Sequence, residues 1–247
     1  IRKQLNFLQK NVPFRFLRPW INTSDDREMV VRSQTYENGC LYKLEKKDGL
    51  LWVELNPVWL IYLKENYDIL SAFAYWGLTN FLQVRNPNVP NIPSKLVKRE
   101  ERNSLASQHE FWNVVINQGM ELQCIYTGKR LEVRKYDLDH FIPWSFVSHD
   151  LLWNLMPSDP SINSSKSNKL PDLELYLPKL AEAHQKALKI YLKTGKQNKL
   201  LEDYLSLGHT SQDIVQMDRE HLLDCFFQTF TPMHQIAQNM GFETWKY

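Results

Sequence analysis

Asp139 and His140 stand side by side, Asn154 follows, and Asn163, Lys166 and Asn168 come next. These residue types match the needs of phosphodiester hydrolysis. Water must lose a proton near neutral pH, the phosphate charge must be offset, and the departing oxygen must be stabilised. An imidazole can take the proton. A hard divalent cation can meet the other two needs, and it prefers carboxylate and amide oxygens. His140 suits the first task, and Asp139 with Asn163 suits the second. Neighbours on a strand point to opposite faces, so a break after His140 is required if both are to serve one pocket. Pro143 favours such a break.

The elements that must position these residues are legible around them. Cys124–Leu131 reads as a short strand and tight turn, and Tyr136–Ser145 as an alternating strand closed by proline. Leu151–Pro157 reads as a second strand. Asp159 is an N-cap with Pro160 at the first helical position, opening a helix through Asn163, Lys166 and Asn168. The order is strand, loop, strand, helix, and the positive end of that helix would favour a phosphate.

This ordered set resembles the HNH nuclease family, whose core is a ββα-metal finger, and its spacing is particularly similar to the HNH domain of RNA-guided CRISPR effector nucleases. The resemblance covers residues 122–171. It implies that His140 is the general base and that Asp139 and Asn163 are the protein ligands of a single Mg2+ or Mn2+ ion. It further implies that Asn154 braces the loop between the strands through backbone hydrogen bonds and that Lys166 faces the scissile phosphate. The expected products carry 5′-phosphate and 3′-hydroxyl ends. Many relatives add zinc on two Cys-x-x-Cys pairs, but Thr127 stands where the second cysteine would be and no pair follows. No structural zinc is expected, and Trp144, Phe146 and Trp153 are expected to hold the finger by packing.

The rest of the chain frames this segment. Of its 247 residues, 43% are hydrophobic and 23% charged, which excludes a disordered tail or a low-complexity linker. No apolar run approaches the roughly 18 residues of a membrane span. Cys40, Cys124 and Cys225 are odd in number and far apart, which argues for a reducing, cytoplasmic setting rather than a disulfide framework. His149, His184, His209, His221 and His234 read as structural or surface groups.

The net charge of +2 is uninformative, but its distribution is not. Residues 1–21 carry Arg2, Lys3, Lys10, Arg15 and Arg18 with no acid. Residues 186–199 carry five lysines with no acid, and Lys186, Lys189 and Lys193 share one helical face as a candidate DNA-binding ridge.

Asp48-Gly49 marks a β-hairpin, Asn56-Pro57 a helix start, and the apolar spacing from Trp59 to Arg85 a helical pair with a buried face. Residues 86–94 read as a linker. The expected fold is α+β: a mixed N-terminal domain over 1–94, an HNH ββα-metal (His-Me finger) domain over 95–171, and a helical C-terminal region over 172–247. In that last region Leu173–Thr194 and Asp218–Phe230 form helices, and Thr231-Pro232 opens a final one.

The expected activity is metal-dependent hydrolysis of DNA by an endonuclease. The expected setting is restriction or antiphage defence, beside a protein partner such as an ATPase or sensor, with no membrane. The alternatives are a DNA-binding module with a silent finger and a nicking or RNA-cleaving nuclease of the same fold.

Overall fold

The structure, a computed structural model, describes Phe7 and residues 11–47, 50–96 and 104–247. It divides into two compact units, Ile1–Leu78 and Thr79–Tyr247. No described helix is long and apolar enough to cross a membrane.

In the first unit, a helical stretch over 11–16 (α1) and α2 (Asp26–Ser33) precede a two-stranded antiparallel sheet of β1 (Tyr42–Lys47) and β2 (Leu50–Leu55). Asp48-Gly49, Arg2, Lys3 and Lys10 lie outside the described residues, although the strands flanking that turn pair as a hairpin would. Phe14, Leu17, Ile21, Met29, Cys40, Tyr42 and Leu44 form the core of this unit. Asn56 caps α3 (Pro57–Glu65) by accepting from the Val58 N–H, and Pro57 supplies its preset φ.

The helical pair is present as α3 and α4 (Tyr67–Arg85), but neither helix buries a residue. The expectation of a buried face is corrected. Apolar groups sit all round these helices, with Ile61, Ile69, Phe73, Trp76 and Val84 well exposed. A hydrophobic side becomes core only where another element covers it.

The division between units falls inside α4 rather than in the 86–94 segment. That segment is tied down: Ile92, opening α5 (Ile92–Leu96), is buried, and the Asn91 side-chain amide donates to the Ser148 carbonyl at 3.0 Å.

Among the described residues, the second unit has one continuous core, which the 122–171 segment and the helical C-terminal region share. In order come α6 (Ala106–Asn117), β3 (Asp137–His140), α7 (Trp144–Val147), β4 (Leu155–Ser158), α8 (Pro160–Lys166), β5 (Leu170–Pro171), α9 (Leu173–Lys193), α10 (Ser211–Gln216), α11 (Arg219–Asn239) and β6 (Thr244–Trp245). β3 and β4 are antiparallel, pairing Asp139 with Met156 and His140 with Leu155, while β5 and β6 are parallel.

Proline at position 232 does not open a new helix; α11 runs through it unbroken. Proline lacks one N–H donor, and the packing of Phe226, Phe230 and Ala237 into the core overrides that loss. Phe230 of α11 meets Phe141 edge-on at 5.4 Å and Trp153 at 5.2 Å. The C-terminal helices thus buttress both sides of the loop that follows His140.

Candidate active site

The site begins with a turn. The Gly128 N–H donates to the Cys124 carbonyl at 2.8 Å, and Gly128 has φ +72°, a conformation glycine adopts without a Cβ penalty. This turn carries Tyr126 inward, where its ring meets Tyr176 of α9 and Trp245 of β6 edge-on. The Tyr126 hydroxyl donates to Asp139 Oδ2 at 2.6 Å. Burial, then the neighbouring Asp139 charge, push the phenol well above its ordinary value, so it remains a donor.

Asp139 is buried, and its other oxygen accepts from Lys166 Nζ at 2.9 Å. Lys166 Nζ also donates to the His140 carbonyl at 2.7 Å. The lysine side chain is 0% exposed, so it does not face outward toward a phosphate as the resemblance implied. Its position on the last turn of α8 points it under β3, where a carboxylate and a carbonyl satisfy its ammonium.

The required break in the strand follows His140 directly. Phe141 N–H donates to the Asn154 carbonyl at 2.8 Å, and Ile142 N–H donates to Asn154 Oδ1 at 2.9 Å. Asn154 Nδ2 in turn donates to the Ile142 carbonyl at 2.9 Å. With no exposed surface, Asn154 clamps the chain as it leaves β3.

Asp139, His140 and Asn163 consequently line one cleft of about 220 Å³, with Leu138, Pro143, Trp144, Ser167 and Asn168. Phe146 and Trp153 are buried, whereas Trp144 is partly exposed at the cleft. Asn163 is half-buried, and its amide nitrogen donates to Asp137 Oδ2 at 3.3 Å. The N-terminus of α8 is already filled: Asp159 accepts from the Ser161 N–H at 2.9 Å. The seven-residue helix therefore offers no open end for a phosphate.

A carboxylate has about four lone-pair sites, and Tyr126 and Lys166 occupy two of those on Asp139. The side-chain oxygen Oδ1 of Asn163 has no partner among the described residues, whereas its backbone carbonyl accepts from the Ser167 N–H. Two hard oxygens beside an open cleft suit a magnesium or manganese ion that keeps several waters. No cluster of three or more His, Cys, Asp or Glu side chains that could hold a metal occurs among the described residues. The Lys166 ammonium offsets part of the Asp139 charge, which lowers the affinity of that carboxylate for a second cation.

Lys186, Lys189 and Lys193 are all exposed on α9, while Leu180, Leu188 and Tyr191 of the same helix are buried. The ridge exists as a surface. Three contributors to the site were missed: Tyr126, Asp137 and Asp150, whose carboxylate lies 2.9 Å from His140 Nε2. Their partners are 10 to 26 residues away, beyond the reach of any helical or strand spacing rule.

Residues 124–172, about a fifth of the chain, match a family model described as HNH endonuclease. The match supports an HNH nuclease within an α+β chain, and nuclease activity in general follows from it. No curated protein and no solved structure matches the chain.

Proposed function

We propose that the chain is a divalent-metal-dependent endonuclease that hydrolyses DNA phosphodiester bonds, with β3, β4 and α8 as its ββα-metal finger. The observation that carries this reading is the single cleft lined by Asp139, His140 and Asn163. Asp139 and Asn163 would hold one Mg2+ or Mn2+ ion, which supplies the offset for the phosphate charge and stabilises the departing oxygen.

His140 does the proton chemistry. Its Nδ1 has no protein partner among the described residues and accepts the proton of the attacking water. The water oxygen bonds to phosphorus as the bond to the 3′-oxygen breaks, and that oxygen takes a proton from solvent. Products with 5′-phosphate and 3′-hydroxyl ends follow. Tyr126 and Lys166 fix the Asp139 carboxylate, and Asn154 fixes the backbone on which His140 rides.

The test is Asn163→Ala, assayed on plasmid with Mg2+ and Mn2+ against chelator. Asn163 is half-buried, so this variant should fold normally while its metal-supported cleavage falls and needs a higher metal concentration. Unchanged metal dependence would remove Asn163 from the ion, and cleavage that persists in chelator would remove the ion from the reaction.

A further inference from the structure

The His140 ring has a partner that no spacing rule marks. Its Nε2 lies 2.9 Å from Asp150 Oδ1, and the two side chains are only 11% and 18% exposed. That shielding lets the contact outcompete water for the ring. A carboxylate only accepts, so the ring nitrogen facing it carries the hydrogen. In the neutral imidazole the free pair of electrons then sits on Nδ1, the atom without a partner among the described residues.

The loop that carries Asp150 is held on several sides. Asn91 Nδ2 donates to the Ser148 carbonyl at 3.0 Å, and Gln108 Nε2 of α6 donates to the Asp150 carbonyl at 3.0 Å. The Leu152 N–H donates to Asp203 Oδ2 at 2.7 Å, and the neighbouring Trp153 Nε1 donates to Ser206 Oγ at 2.7 Å. The Leu151 N–H donates to His149 Nδ1 at 3.4 Å. Burial, then the nearby His140, bring His149 down to about 4, so near neutral pH it carries no charge that competes for Asp150. An incidental surface pair needs none of these constraints; a carboxylate that must meet one ring nitrogen at a fixed angle needs several.

We infer that Asp150 is the positioning residue of His140: it holds the Nε2 hydrogen and turns Nδ1 toward the attacking water. The inference rests on the nuclease reading above. In the step, the water proton moves to Nδ1, the Nε2 hydrogen stays on its bond to Asp150, and Asp150 takes no proton. This is the arrangement of a base oriented by a third group.

The experiment has two arms. Plasmid cleavage with Mg2+ is compared for the parent chain, Asp150→Ala and Asp150→Asn, with melting measured for each. Losing the orientation of the base should lower kcat by about 10²-fold, the low end of what a positioned base contributes, with KM unchanged. If Asp150→Ala melts early, the isosteric Asp150→Asn carries the kinetic comparison.

The second arm is proton NMR of the metal-free protein, labelled with 15N-histidine. A downfield ring N–H resonance should be present in the parent and missing in both His140→Gln and Asp150→Ala. A resonance that survives Asp150→Ala, or variants that keep the parent kcat, overturns the role of Asp150. A parent chain that cuts no DNA with any divalent ion sinks the nuclease reading, and the positioning role falls with it. A parent that cuts beside equally active variants sinks the positioning role alone.

Discussion

Lys166 has no contact with water, and this decides what it can do for Asp139. A buried ion pair gives little net stability against an apolar replacement, but breaking one leaves an uncompensated charge, at a cost of about 3–5 kcal/mol. Lys166→Ala should therefore lower the unfolding free energy measured in urea by that much, and the same substitution in an Asp139→Ala background should cost far less. A stability within error of the parent would mean that the lysine reaches solvent. Asn154 presents a related case, since Asn154→Ala orphans the Ile142 N–H and carbonyl inside the core at about 1–3 kcal/mol for each group. Asp139, His140, Asn154 and Asn163 were legible because their types recur in a fixed order between recognisable elements. Lys166 was legible as a member of the set but not in its direction. A long aliphatic stem with a charged tip reads as surface, and only the carboxylate and carbonyl gathered by tertiary folding turn it inward.

At the scale of elements, the caps carried most of the information. Asn56-Pro57 and Asp159-Pro160 each begin a helix with a side chain that accepts from the first turn, a local interaction the sequence displays directly. Pro232 misled because its local cost is outweighed by core packing that sequence spacing does not report. The apolar run of α3 and α4 misled for the opposite reason: periodicity marks a helix but does not supply its cover. On α9 the sequence pattern and the surface agree, with Lys186, Lys189 and Lys193 exposed opposite a buried side. If this ridge tracks a phosphate backbone, changing all three to Gln should weaken DNA binding. The slope of its salt dependence should flatten by roughly one unit for each phosphate no longer neutralised. Measured affinities across a salt series that match the parent would make the ridge an ordinary solvated face.

At the scale of the whole molecule, the 122–171 segment does not stand alone. Its loop, Trp153 and Tyr126 pack against α9, α11 and β6 within one core, so the C-terminal helices belong to the support of the site. That core also sets an acid limit. Burial brings His184 down to about 3 and His149 to about 4, and lowers His234 as well. Each stays neutral in the fold but takes up a proton on unfolding once the pH drops below its ordinary value of about 6.5. The stability carried by His184 and His149 is therefore whole above that value and is lost as the pH falls toward 3–4, and His234 adds to the loss in the same direction. Each histidine adds up to about 1.4 kcal/mol per pH unit to the slope. Urea midpoints measured from pH 8 to pH 4 should fall on the acid side, and His184→Phe should flatten the fall.

The most direct test of the central claim is supercoiled-plasmid cleavage by the parent and by His140→Ala, in Mg2+ and in chelator, with melting temperatures alongside. The parent should cut only with the metal. His140→Ala should melt with the parent and cut about 10²–10⁴-fold more slowly, because a positioned base has been removed. A folded His140→Ala variant that cuts as fast as the parent would contradict the account.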